Sequence, residues 1–426
     1  MLMPESLQGE GSGFEPKALG AVWILLLCVL AQASNQIWIL LGRYVRKWSI
    51  EDVIAHALTG GDGRRHGFRE RWRKRISRVS GVAVASICAL ICVMYLQGAV
   101  DALLRSSESA TLLSRVVVTV ICSILVTPFI IPTAITSKWL SASVLLSEAA
   151  YIVLIVLMVV HRPDSGTGAA ESRTAVTFAS SATINWGAFA TTAFTSASPL
   201  FTYPLYASHL AGRVTSAQPF IPKRRVYPYS IHMLVTAFIS FLFLLPWYLV
   251  PSSGGNLHPL PFTLCFLFSI PPVWVISLSP RLPTARTTPR ASTLRYSLWG
   301  FIVVAACMPP TLSQPLLRLL ILAILFLTYP LPATLHIFEH NFYPPLSILI
   351  SDEAADPSDR ERQNLNGAEV VSPSDPNSAD SLLRRKERSL QRRRLGRRIL
   401  WDIGVWLVLL PFGIITTTWA AGRFLG

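Results

Sequence analysis

The densest polar run in this apolar sequence is Thr191, Thr192, Thr195, Ser196 and Ser198, followed by Pro199, Tyr203 and Pro204. Its hydroxyls offer donors and acceptors to a solute. Each proline lacks a backbone N–H and clashes with the preceding turn, so a helix running through this stretch is interrupted and exposes carbonyls. At membrane depth such backbone is tolerated where it lines a cavity, and transporters use it to hold polar or ionic groups. Thr191, Thr192, Thr195, Ser196, Ser198, Pro199 and Tyr203 are therefore the candidate substrate-binding residues. The competing reading is a kinked helix whose hydroxyls bond back to their own backbone.

Glu148 is the other candidate, as the carboxylate nearest the centre of an apolar run. A charge there is costly unless paired, protonated or facing water, so protonation of Glu148 could couple movement of a solute to a proton gradient. The alternative is a neutral glutamic acid bonded to a neighbouring helix. Asp101, Glu339 and Asp402 fall near the ends of apolar runs and need only reach an interface.

Chemistry of other kinds lacks its residues. There is no P-loop, Gly-rich dinucleotide turn, HExxH helix or GxSxG elbow, so neither nucleotide-driven pumping nor hydrolysis is expected, and no cofactor. Cys28, Cys88, Cys92, Cys122, Cys265 and Cys307 all lie in apolar runs and read as small hydrophobes, with no zinc-finger spacing. A lipid-acting membrane enzyme would need His or Asp gathered at one face, whereas His232, His336 and His340 are scattered.

The elements that must position these residues follow from composition. Of 426 residues 51% are hydrophobic and 14% charged, against about 25% charge in soluble domains. Ten apolar runs read as spans: Leu19–Leu41, Gly81–Leu103, Val116–Ile135, Trp139–Val160, Thr183–His209, Tyr229–Val250, Pro259–Leu278, Tyr296–Leu312, Leu316–Phe338 and Ile399–Ala421. Most approach the roughly 20 residues that cross about 30 Å of hydrocarbon. If the connections alternate sides, one side receives all of the 38 Lys and Arg except Lys17, Arg105, Arg115, Arg162, Arg173, Arg318 and Arg423. That bias makes it cytoplasmic and supports an even number of spans. The basic excess is thus a topology signal, with nucleic-acid binding excluded from the partners.

Four regions result: a non-cytoplasmic tail (1–18), a membrane domain of nine spans (19–350), a cytoplasmic loop (351–398), and the last span with its tail (399–426). The long loop is rich in Asp, Glu, Ser, Pro and Asn before turning basic, and its composition predicts disorder. The segment Arg64–Arg78, with Trp72, is expected as a solvated topogenic loop or a contact for anionic headgroups. The pairs Pro271–Pro272, Pro309–Pro310 and Pro330 with Pro332 read as packing bends. No cleavable signal is expected ahead of the first run.

Five segments carry a resemblance: GRYVRKWSIEDVIAHALTGG (Gly42–Gly61); VMYLQGAVDALL (Val93–Leu104), with Tyr95 and Asp101; TPFIIPTAITSKWLSASVLLSEAAYIVLIV; FTSASPLFTYPLY (Phe194–Tyr206), with Pro204, Leu205 and Tyr206 in the places of "PIY"; and LWDIGVWLVLLPFGIITTTW. Their order resembles the amino acid/auxin permease family, which includes neutral and vacuolar amino acid transporters. The resemblance implies a LeuT-type inverted-repeat fold, an amino acid or similar small polar solute as substrate, and a coupling proton or Na⁺. That family has eleven spans, the first unwound and glycine-bearing, and this chain resembles it from the second span onward. The expectation is therefore an all-α integral membrane protein of about ten transmembrane helices, a LeuT-type fold minus its first helix. It would be a secondary transporter of the plasma membrane or an endomembrane. The alternative is a transport-incompetent scaffold or sensor derived from a transporter fold.

Overall fold

The computed structural model describes residues 16–45, 49–59, 66–104, 111–131, 137–160, 234–242, 259–278, 289–308, 310–339 and 402–425. These form helices, with no strand among the described residues. In chain order they are α1 (Pro16–Val45), α2 (Ile50–Thr59), α3 (His66–Leu104), α4 (Leu112–Ile130), α5 (Lys138–Val160), α6 (Pro259–Pro272), α7 (Pro289–Ala306), α8 (Pro310–Thr328), α9 (Pro330–Ile337) and α10 (Leu410–Leu425). Residues 234–242 are also helical. Among the described residues, six helical stretches are long and apolar enough to cross a membrane: Leu25–Gly42, Glu70–Leu104, Leu112–Ile130, Lys138–Leu157, Pro315–Ile337 and Asp402–Gly422. Two shorter apolar helices, Pro259–Val275 and Thr293–Ala306, accompany them. By helix length and composition the chain is an all-α, multi-pass membrane protein.

The prolines shape these helices more than bends would. Pro271 and Pro272 remove two main-chain donors at the end of α6, and the helix widens into a π-helical turn over Val273–Leu278. A second π-helical stretch, Val405–Leu409, leads into α10 just before Pro411. The span expected over Tyr296–Leu312 instead ends at Ala306, and a new helix begins at Pro310. The run expected as one span, Leu316–Phe338, divides at Tyr329 into α8 and α9, with Pro330 as the first residue of α9.

The basic segment before the second expected span is an extension of α3, which runs unbroken for 39 residues. At 1.5 Å per residue that is about 58 Å, nearly twice the hydrocarbon thickness. Arg, Lys and Glu are strong helix formers, which accounts for the continuity past Gly81. Within it Trp72 is exposed and the Arg75 guanidinium sits 5.8 Å from the ring centroid.

α3 is the centre of the bundle, touching α2, α4, α6, α7 and α8. Cys88, Cys92, Leu96, Ala99 and Val100 are buried there at successive turns. α6 lies against Gly98, where an added Cβ would stand 3.4 Å from the Phe266 ring, an ordinary contact. Around this axis, α5 packs on α6, while α9 packs on α1, α2, α8 and α10.

Candidate functional site

Thr191, Thr192, Thr195, Ser196, Ser198, Pro199 and Tyr203 lie outside the described residues. Glu148 is described, on the exposed side of α5. Its neighbour Ser147 points the other way, donating to the Cys265 carbonyl at 3.1 Å and exchanging a hydrogen bond with Ser269 at 2.9 Å.

A second polar region emerges at the middle of α1. The sequence Ala31-Gln-Ala-Ser-Asn-Gln36 interrupts an otherwise apolar helix, and Gln32, Ser34 and Asn35 are all buried. They fall near the centre of the apolar Leu25–Gly42 stretch. Asn35 Nδ2 donates to Gln32 Oε1 at 3.1 Å. The Ser34 hydroxyl donates to the main-chain carbonyl of Thr328, at the division between α8 and α9.

Proline chemistry explains why that carbonyl is available. In an unbroken helix the carbonyls of Phe326 and Thr328 would accept from residues 330 and 332. Both positions are proline and neither has an N–H. Thr328 is almost fully buried, and a buried carbonyl requires a partner, which the α1 hydroxyl provides. The division between α8 and α9 is thus served by a buried hydroxyl of another helix. A related exchange joins α3 to α7, where Pro309 cannot donate to Ala305. There the Met308 N–H donates to that carbonyl at 3.2 Å and Gln97 Nε2 approaches it at 3.5 Å.

α9 carries a third feature at its other end. His336 Nε2 lies 2.8 Å from Asp402 Oδ1, and His56 Nδ1 of α2 lies 4.0 Å from Glu339 Oε2. The side chains of His336 and Glu339 are each 4% exposed, so both imidazole–carboxylate pairs have a buried member. Burial pushes the Glu339 carboxyl above its usual range. His336 and Glu339 are three positions apart, which places them on the same face of one helical turn. The His56–Glu339 pair joins residues from the two large basic segments, 43–79 and 339–398. At Asp101, by contrast, Arg115 Nη1 closes an ion pair at 2.9 Å between α3 and α4.

Neither the α1 polar layer nor the ionisable group is singled out by sequence reading. The first had a local signal, the Gln-Ala-Ser-Asn-Gln interruption within an apolar run. The second had none, since its members come from positions 56, 336, 339 and 402 and look scattered until α2, α9 and the last span are packed together. No protein-family model, curated protein or solved structure matches the chain.

Proposed function

We propose that this chain is a secondary transporter that moves a small polar solute, an amino acid by the resemblance noted above, across a membrane. The observation that supports it is the buried layer of Gln32, Ser34 and Asn35 near the centre of an apolar helix, with the Ser34 hydroxyl on the proline-divided helix at Thr328–Pro330. Bundles that only span a membrane have little reason to bury three neutral polar side chains beside a broken helix, because such groups are expensive in hydrocarbon. A solute site needs both: side chains with amide and hydroxyl groups, and main chain not wholly committed to its own helix. The hydroxyl run Thr191–Ser198 with Pro199 is a second contributor to the same site in this reading. The LeuT-type fold without its first helix, and a proton or Na⁺ as coupling ion, belong to the proposal.

The test is uptake by the full chain, purified and reconstituted in proteoliposomes, against a panel of radiolabelled proteinogenic amino acids with an imposed proton or Na⁺ gradient. Accumulation of at least one, reduced by Ser34→Ala at equal protein incorporation, is the expected result. No accumulation of any amino acid by correctly inserted protein overturns the reading and favours a scaffold or sensor.

A further inference from the structure

Two imidazoles and two carboxylates gathered at one end of a bundle have a property that none has alone. With both histidines neutral and both acids ionised the group carries two negative charges, and with both histidines protonated it carries none. Glu339 and His336 are shielded from water, so the difference between those states is felt at reduced dielectric. An unperturbed imidazole titrates at about 6.5, and a carboxylate within about 4–6 Å favours its charged form. The His56–Glu339 separation of 4.0 Å is too long for a hydrogen bond but within reach of an ion pair once His56 is protonated.

Among the described residues, the other ionisable groups of the neighbouring helices turn elsewhere or lie farther along their helices. The other acids of α2 turn toward α3: Glu51 packs with its Cγ 3.5 Å from where a Gly81 Cβ would stand, and Asp52 Oδ1 accepts from the Ser77 hydroxyl at 2.9 Å. α3 contributes Arg71, Arg73, Lys74, Arg75 and Arg78 at this end, of which Lys74 is paired with Glu70 at 2.7 Å. α8 carries Arg318 in its first half, toward the opposite end from Glu339. The π-helical stretch before α10 carries no acid or base, and α10 carries Arg423 in its last turn, far along the helix from Asp402.

We propose that His56, His336, Glu339 and Asp402 form a proton-binding site that joins α2, α9 and the start of the last span, and that its occupancy governs the solute site at the other end of α9. The second half rests on the transport reading. α9 is eight residues long, about 12 Å at 1.5 Å per residue. Its first residue, Pro330, borders the carbonyl held by Ser34, and its last turn carries His336 and leads into Glu339. A change in the attraction of α2 and Asp402 for one end of so short a helix acts directly on the other.

The experiment uses the full chain in lipid nanodiscs with ¹⁵N-labelled histidine, the His56 signals being assigned by their loss in His56→Gln, followed by nuclear magnetic resonance through a pH titration. Glu339→Gln is expected to lower the midpoint of His56 by about one pH unit. In proteoliposomes the pH profile of uptake is expected to move in both Glu339→Gln and Asp402→Asn. Asp402→Asn keeps a hydrogen-bond acceptor for His336, so a folding defect is separable from loss of charge. A His56 midpoint unmoved by Glu339→Gln overturns the proton site. Uptake that persists with an unchanged pH profile in both variants overturns the coupling while leaving the transport reading in place. Absence of uptake in the unmodified protein, with the His56 shift intact, overturns the transport reading and the coupling but supports the proton site.

Discussion

A Cβ built on Gly413 of α10 would lie 2.8 Å from the backbone nitrogen of Pro330 and 2.9 Å from the Tyr329 Cβ. The last span is therefore in backbone contact with the division between α8 and α9, and Tyr329 adds an edge-to-face ring contact with Phe412 at 5.1 Å. Because the clashing atoms belong to main chain and a proline ring, they cannot swing aside as a flexible side chain would. Gly413→Ala is expected to destabilise the protein by about 1–3 kcal/mol, the usual cost of forcing a group into a filled core. Gly422→Ala, in the same helix with nothing within 4 Å of the added atom, is the matched control and should be close to neutral. Thermal unfolding in detergent compares the two, and equal melting temperatures would refute the close approach.

Ser34 and Thr328 are joined across 294 positions of sequence by one hydroxyl. Ser34→Ala removes the donor while leaving the helix propensity of α1 slightly improved. The expected cost is about 1–3 kcal/mol, since a buried carbonyl loses a partner that water does not replace. Ser34→Thr retains the hydroxyl and should recover most of the loss if the extra methyl is accommodated. A melting temperature for Ser34→Ala at or above that of the unmodified protein would show that the hydroxyl is dispensable to the division of the helix.

Glu339 gives a pH dependence with a definite sign. Burial raises its folded-state pKa above the ordinary carboxyl value, so the folded state holds that proton more tightly than the unfolded chain. The stability associated with this proton is complete below the unfolded pKa and is lost as pH rises from there through the raised folded value. Glu339→Gln keeps a neutral polar group at every pH. Its melting temperature relative to the unmodified protein should therefore be higher at neutral pH than at acid pH. A difference that is flat across that window, or that grows toward acid pH, counts against burial as the governing cause.

Local chemistry was legible in the sequence and long-range partnership was not. Apolar runs announce helices because each residue contributes independently to the cost of leaving hydrocarbon, so α1, α4 and α5 lie close to their expected places. Their ends are less well announced: α4 stops at Ile130, where the expected span reached Ile135. The spacing of Pro330 and Pro332 reads directly as two lost helical donors, although it gives no sign of which side chain serves the carbonyl of Thr328. That partner depends on how α1 docks, a property of the whole bundle. The same limit hides the ionisable group: His56 belongs to a short helix outside the spans, and its proximity to Glu339 arises only when α2 and α9 pack together. Of the residues chosen from sequence, Glu148 lies on an exposed helix side, and the hydroxyl run falls outside the described residues.

The hydroxyl run and the α1 layer can be tested as one site through their coupling. If Thr195 and Ser34 both contact the transported solute, Thr195→Ala and Ser34→Ala should each raise KM for uptake at unchanged membrane abundance, as expected for lost solute binding. Because they would share a bound molecule and the order that it imposes, the double variant should depart from additivity by about 0.5 kcal/mol or more, the range seen for residues with a common partner. Ser196→Ala belongs in the same cycle and should behave like Thr195→Ala. Stability changes alone would alter the amount of folded protein, and with it the maximal rate, but not the coupling in KM. Strict additivity between Ser34 and both hydroxyl positions would separate the two regions and leave α1 with a purely structural role at the broken helix.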